Sequence, residues 1–150
     1  KDVMSEPPVI RPLRETDLPA ILGIENLAFS PPWPEEAFRH TEFTQSWVIS
    51  TDGDLRGYII YHVVPDEAVI VNFAIAPDFW RHGLGSLLLQ HSLDIMQESG
   101  INAVYLDVRR SNLAALKLYN KYGFKPLGVR KNYYSKPRED ALVMVRYNNG

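Results

Sequence analysis

The chain has 150 residues, 45% of them hydrophobic and 23% charged, enough for one globular domain that buries roughly 70% of its unfolded surface. A formal net charge of −2 excludes the basic stripe of a general nucleic-acid binder, and the absence of cysteine excludes disulfides, thiolate metal sites and a cysteine nucleophile. No apolar run approaches the ~20 residues that span a bilayer and no secretory leader pattern opens the sequence, so no membrane partner and a cytoplasmic location are expected.

Lys1-Asp2-Val3 read as residues appended ahead of a native start at Met4, and residues 1–8 as a flexible lead-in to a domain over 9–147. Val9-Ile10-Arg11 predicts a short strand ended by Pro12. Thr16-Asp17-Leu18-Pro19 predicts a helix start capped by Thr16, with Leu18, Ile21, Leu22, Ile24 and Ala28 on its apolar face. Ser30-Pro31-Pro32-Trp33-Pro34 is a stiff loop, and Pro34-Glu35-Glu36 opens a second helix to about Phe43. Strands are expected at Trp47–Ser50 and Leu55–Val64, joined by a hairpin turn at Thr51-Asp52-Gly53-Asp54. Ala68–Ala76 is a third apolar run, stopped by Pro77.

Gly83–Ser99 is the longest helical pattern, with Leu84, Leu87, Leu88, His91 and Ile95 on one face. Ala103–Val108 predicts a buried strand. Ser111-Asn112 cap a helix to Tyr122 that Gly123 ends, and Lys125–Tyr133 and Ala141–Tyr147 are two final strands. Early hairpins followed by β-α-β units predict a mixed α/β sheet in one domain. His40, His62, His82 and His91 show no HxxxH or HxH pairing, so no metal is expected; His62 and His91 read as packing or surface groups.

The most informative segment runs from Asn72 to Ser86. A strand enters a short loop with two glycines, Gly83 and Gly85, that opens a long helix. Such a helix start presents unpaired N–H groups and a positive dipole end, and glycines let the backbone approach a phosphate. Arg81 and His82 add donors. The alternative is that the glycines only permit a tight turn and close packing. A Rossmann fingerprint would need a third glycine where Leu88 stands, and a P-loop would need GK[ST].

In this context the Trp80–Ser86 run resembles the acetyl-CoA-binding motif Q/R-x-x-G-x-G/A of the GNAT N-acetyltransferases, with Trp80 where the family has Gln or Arg. Leu106–Asn112, Ala114-Ala115 and Leu118–Phe124 resemble its next two motifs. Gly128–Tyr134, Glu139-Asp140-Ala141, Phe29–Trp33 and Asp66-Glu67-Ala68 resemble the RimI-type protein N-alpha-acetyltransferases, over about residues 9 to 147. The resemblance implies a single, mostly antiparallel mixed sheet flanked by helices, with a splayed central strand pair. It implies acetyl-CoA as co-substrate and, as acceptor, the N-terminal alanine of a ribosomal protein, with no direct nucleic-acid contact.

Without cysteine there is no cysteinyl acyl-enzyme, so direct attack of the amine is the simplest route. An α-amino group has a reference pKa of roughly 8, so freeing it at pH 7 costs only about 1 kcal/mol. The resemblance places the catalytic base at Asp107, where RimI-type enzymes carry Glu. The other reading pairs Asp107 with Arg109, Arg130 or a backbone N–H. Glu67, on the neighbouring strand, is the second carboxylate. Tyr119 matches the family's general acid, the alternative being a core tyrosine. The family pattern further implies that the backbone of Phe73, Ala74 and Ile75 lines the pantetheine, that the Ile75 N–H polarises the thioester carbonyl, and that Arg81, His82, Gly83, Leu84, Gly85, Ser86 and Asn112 hold the cofactor. Trp33, Tyr133 and Tyr134 fall where the family's substrate enters. Glu25, Glu35, Glu36 and Glu42 either make that end acidic, suiting a basic N-terminal segment, or form a solvated face. Two other functions fit the same features: acetylation of a small-molecule amine, and non-catalytic acyl-CoA binding.

Overall fold

The strands are β1 (Val9–Pro12), β2 (Thr44–Thr51), β3 (Asp54–Val64), β4 (Glu67–Ile75), β5 (Ala103–Arg109), β6 (Lys125–Ser135) and β7 (Arg138–Tyr147). In the computed structural model, which describes residues 6–29, 32–38 and 42–148, they form one seven-stranded sheet in the order β1-β2-β3-β4-β5-β7-β6. Every neighbouring pair is antiparallel except β4–β5. The β2–β3 hairpin closes as expected: Asp52 and Gly53 both take positive φ, 52° and 87°, which matches the twist of the flanking strands.

The central feature is where β4 and β5 part. Their parallel pairing runs only from Glu67↔Ala103 to Ile70↔Leu106. Beyond it β4 continues to Ile75 and β5 to Arg109 with no bonds between them, so the sheet splays as expected. Just past that point the β3–β4 register slips, from Tyr61↔Ile70 to Ile60↔Asn72, leaving Val71 as a bulge. The bulge resets the alternation of β4. Ala68 and Ile70 before it, and Phe73 and Ile75 after it, face one core; Val71 and Ala74 face the other.

α1 (Leu18–Ala28) covers the second of these faces, packing Ile21 and Ile24 on Tyr58 and Ile60. α2 (Leu84–Glu98) and α3 (Leu113–Lys121) cover the first, against Ile59, Tyr61, Leu106 and Val108. Each fully buried Leu of α2 contributes roughly 1.5–3 kcal/mol of apolar transfer.

Three local expectations are corrected. Where a helix is expected from Pro34 to about Phe43, the described residues show a 3-10 turn at Glu35–Phe38 and, from Thr44, strand β2 paired with β3; residues 39–41 are not among those described. Thr16 does not cap α1. It lies in a 3-10 turn, Glu15–Asp17, held by Asp17, which accepts both Arg11 guanidinium donors at 2.8 Å and the Arg14 N–H at 2.7 Å. The buried stripe of α2 is Leu84, Leu88, Leu89, Ser92, Leu93 and Met96, while Leu87 is exposed and His91 and Ile95 are half-buried. Ser92 disguised the stripe; its hydroxyl is satisfied by the Leu88 carbonyl at 2.9 Å. Met4, Ser30, Pro31 and His40 lie outside the described residues.

Candidate active site

The site begins at the free end of β4. The Ala76 N–H donates to the Arg56 carbonyl at 2.6 Å. Strand alternation therefore turns the N–H groups of Phe73 and Ile75 away from β3, into the gap that β5 has left. Gly57 on β3 permits this close approach: a Cβ there would stand 2.7 Å from the Ala74 carbonyl oxygen and would collide with Ile75 Cδ1. The Ile75 carbonyl accepts from Trp80 Nε1 at 2.7 Å, so the residue that departs from the polar motif ties the following turn to the strand end.

That turn holds Arg81 at φ 70° and Gly83 at φ 79°, both left-handed. A non-glycine residue there stores of order 1–3 kcal/mol. Gly83 is the N-cap of α2 and supplies no side-chain cap, so the first N–H groups of the helix keep no side-chain partner there. Gly85 meets Ile75, Leu118 and Phe73 only at 3.6–3.8 Å from an added Cβ, so protein packing does not demand glycine at that position. His82 packs beside Phe79, 5.5 Å between ring centroids, with the Arg56 guanidinium on the Phe79 ring at 3.9 Å. Leu84 is buried and Ser86 half-buried.

Across the gap, β5 alternates. Val104, Leu106 and Val108 enter the core, which leaves Tyr105, Asp107 and Arg109 on the other face. Asp107 Oδ1 accepts from Arg130 Nε at 3.1 Å. Burial first, and the neighbouring Asp107 carboxylate next, push the Tyr134 phenol up to about 12. Tyr119 is buried in α3 between Phe73 (6.3 Å) and Phe124 (5.5 Å). Burial, reinforced by Tyr134, raises its phenol well above the ordinary tyrosine range. Among the described residues its hydroxyl has no hydrogen-bond partner. Tyr134, under the Arg109 guanidinium, thus feels the Asp107 carboxylate, while Tyr119 reaches β4 through Phe73.

Glu67 is not part of it. It is exposed at the far end of the β4–β5 pairing, with the Tyr105 hydroxyl at 3.4 Å, and it pairs with Ala103, four residues from Asp107 and so about 13 Å away along the strand. Asn112 caps α3 through Oδ1, which accepts from the Ala115 N–H at 3.2 Å; its Nδ2 lies at the same helix start. Glu139 accepts from the Ser111 N–H at 2.6 Å and from Arg109 at 3.1 Å, and the Ser111 bonds followed by Arg109 hold its carboxyl below the usual range. Arg109 in turn stacks on Tyr134 at 4.2 Å. The β6–β7 turn is thereby bracketed to the start of α3.

Tyr133 is exposed and stands edge-on to Tyr134 at 5.1 Å. Trp33 is half-buried against Phe38 at 5.2 Å, on the α1 side, and no ring contact joins it to the tyrosine pair among the described residues. Glu35, Glu36 and Glu42 are exposed, but Glu25 is not: it is 1% exposed and hydrogen-bonded to Tyr58, Asn72 and the Trp33 N–H. His62 is exposed; His91 packs on Trp47 at 4.6 Å, and burial lowers its pKa.

Sequence reasoning missed the Glu25 network and the Trp80–Ile75 tie. The run Pro31-Pro32-Trp33-Pro34, whose one N–H needs an acceptor, was the available signal for the first. Among the described residues no group of three or more His, Asp or Glu side chains is placed to hold a metal ion, and no helix is long and apolar enough to cross a membrane.

Residues 18–124 match the acetyltransferase (GNAT) family. The chain is 39% identical over 140 residues to the [ribosomal protein bS18]-alanine N-acetyltransferase of Escherichia coli strain K12, covering 91% of this chain and 95% of that one. It is 33% identical over 144 residues to the enzyme of the same name from Haemophilus influenzae, covering 93% and 98%. The crystal structure of the ribosomal-protein-S18-alanine N-acetyltransferase from Escherichia coli superposes with a TM-score of 0.88 at 38% identity, covering 95% of each chain. Ard1 from Thermoplasma volcanium superposes at 0.84 with 27% identity, covering 93% and 97%. With most of its length matched, the chain belongs to the GNAT acetyltransferase family.

Proposed function

We propose that this chain transfers the acetyl group of acetyl-CoA to the α-amine of a protein N-terminus, and that the acceptor is the N-terminal alanine of ribosomal protein bS18, as the names of its relatives indicate. The observation that carries the reading is the splay: backbone N–H groups of Phe73 and Ile75 line one wall of the gap, Asp107 on β5 stands where the pairing ends, and Tyr119 packs on Phe73.

The residues fit the co-substrate. The open start of α2, with Arg81, His82, Gly83, Leu84, Gly85 and Ser86, suits a pyrophosphate, and Gly85 is a glycine that packing does not require. Phe73, Ala74 and Ile75 would line the pantetheine as an added strand, and the Nδ2 of Asn112 would donate to it. Bound acetyl-CoA supplies an activated thioester; every other contribution comes from the protein. The Ile75 N–H polarises the carbonyl. Asp107, with Oδ1 held by Arg130, takes the ammonium proton through Oδ2, directly or by way of a water. Tyr119 protonates the departing thiolate, and the second proton shed by the acylated nitrogen restores the phenol, directly or by way of a water. Burial makes Tyr119 a weaker acid, but a thiolate in the same dry gap gains proton affinity for the same reason. Trp33, Tyr133 and Tyr134 wall the acceptor slot, and exposed Glu35 and Glu36 suit a basic N-terminal segment. Glu67 has no role.

A thiol-release assay over N-terminal peptides and polyamines tests this. Acetyl-CoA-dependent turnover on an alanine-starting peptide is expected. Turnover on polyamines with none on peptides would assign a small-molecule acceptor instead.

A further inference from the structure

Glu25 is a buried carboxylate that the chemistry above does not use. Oε1 accepts from the Tyr58 hydroxyl at 2.5 Å and from Asn72 Nδ2 at 2.9 Å, and Oε2 accepts from the Trp33 N–H at 2.9 Å. Among the described residues these neutral donors are its partners. A buried carboxylate is costly unless hydrogen bonds replace its water. Here both oxygens are needed, because donors approach from two sides. Glutamine would fill the same volume, yet its one oxygen can serve only one side; kept on Trp33, its amide would require Tyr58 and Asn72 to turn from donors to acceptors.

What lies on the two sides gives the arrangement its meaning. Pro31, Pro32 and Pro34 have no N–H, so Trp33 carries the one backbone donor of that run, and Glu25 takes it. Tyr58 and Asn72 belong to β3 and β4 on the face under α1, and Asn72 immediately precedes Phe73 at the gap. The carboxylate therefore joins three parts: helix α1, the proline loop and the strand that lines the gap. Burial, and then the hydrogen bond to Glu25, hold the proton on Tyr58.

We infer that Glu25 is a positioning residue for the acceptor: its carboxylate clamps the Trp33 loop to β3–β4, so that the acceptor wall is preformed before the amine arrives. This rests on the reading that Trp33 belongs to that wall. The co-substrate side does not depend on the clamp, because Phe73–Ile75 are set by pairing with β3.

The test reads amide exchange at Trp33 together with KM for an alanine-starting peptide and for acetyl-CoA, in the wild type and in Glu25→Gln. Trp33 has the one exchangeable backbone amide of residues 31–34, so the signal is unambiguous. Expected are a protected Trp33 amide in the wild type, exchange about 10-fold faster in the variant, and a peptide KM about 10-fold higher, with acetyl-CoA KM within about twofold. A wild-type Trp33 amide exchanging at the unstructured rate, an unchanged peptide KM, or equal rises in both KM values would overturn the inference. If Glu25→Gln does not fold, the same quantities are measured on Glu25→Asp, which keeps the charge but shortens the reach by one methylene, and the same results support or overturn the clamp. A wild type inactive on every peptide would sink the proposed acceptor alone, since the amide measurement still reports the clamp.

Discussion

Arg130 reaches Asp107 from two strands away: its Nε, on β6, crosses β7 to donate to Oδ1 of the β5 carboxylate at 3.1 Å. The contact fixes one oxygen of the carboxylate and, in the proposed chemistry, leaves the other for an incoming ammonium. Asp is one methylene shorter than the Glu that the family resemblance leads one to expect there, so orientation of the remaining oxygen matters more. Asp107→Asn is expected to lower kcat about 100-fold or more, with KM for acetyl-CoA within threefold. Arg130→Gln should lower kcat about 3- to 10-fold. Because Arg130 is half exposed, its removal should move the melting midpoint by less than about 2 °C. Steady-state kinetics and thermal melts check both.

Tyr119 has a buried ring and a hydroxyl without a hydrogen-bond partner among the described residues. Phenylalanine keeps the ring packing on Phe73 and Phe124. Tyr119→Phe should therefore cost less than about 1 kcal/mol of stability, yet reduce turnover about 100-fold with co-substrate binding nearly intact. Denaturant unfolding beside single-turnover kinetics separates the two. A loss of stability matched by weaker binding would make Tyr119 a core residue only.

Gly57→Ala should damage the proposed co-substrate wall from behind. The added methyl meets the Ala74 carbonyl at 2.7 Å, a backbone atom that cannot rotate away. The end of β4 must shift, at a cost of about 1–3 kcal/mol. KM for acetyl-CoA should rise about 10-fold, and KM for the peptide less.

Among the described residues five phenols retain their protons above the ordinary 10.0: Tyr58, Tyr61, Tyr105 and Tyr119 chiefly by burial, and Tyr134 up to about 12 for the same reason. A group whose folded pKa is raised gives stability that is fully present below its unfolded pKa and lost as pH rises through the folded value. These phenols should therefore leave stability unaffected from pH 7 to about 10 and erode it above about 10. Melting curves against pH, with Tyr134→Phe showing a shallower alkaline decline, check the sign.

Much of this was legible in the residues, and the gaps have physical reasons. The hairpin at Asp52-Gly53 and the turn at Gly83 were readable because positive φ selects glycine and its short polar substitutes. The splay was legible only by resemblance, since parting of two strands leaves no periodicity of its own. Glu25 groups with Glu35 and Glu36 as an acidic end in the sequence, because nothing local to α1 shows that Tyr58 and Asn72, 33 and 47 residues on, supply donors. Glu67 reads as the second carboxylate in the sequence because its strand neighbours β5, and only the parallel register shows that it pairs with Ala103, four residues before Asp107. Trp80 looked like a lost polar contact; its indole N–H instead reaches the Ile75 carbonyl.

The most direct test of the central claim is to locate the acetyl group. The protein is incubated with acetyl-CoA and a peptide that begins with alanine and carries an internal lysine, and the product is sequenced by tandem mass spectrometry. Acetylation of the alanine α-amine, slowed about 100-fold in Asp107→Asn, is expected. Acetyl on the lysine ε-amine alone, or an unmodified peptide under conditions where the protein demonstrably binds acetyl-CoA, would contradict it.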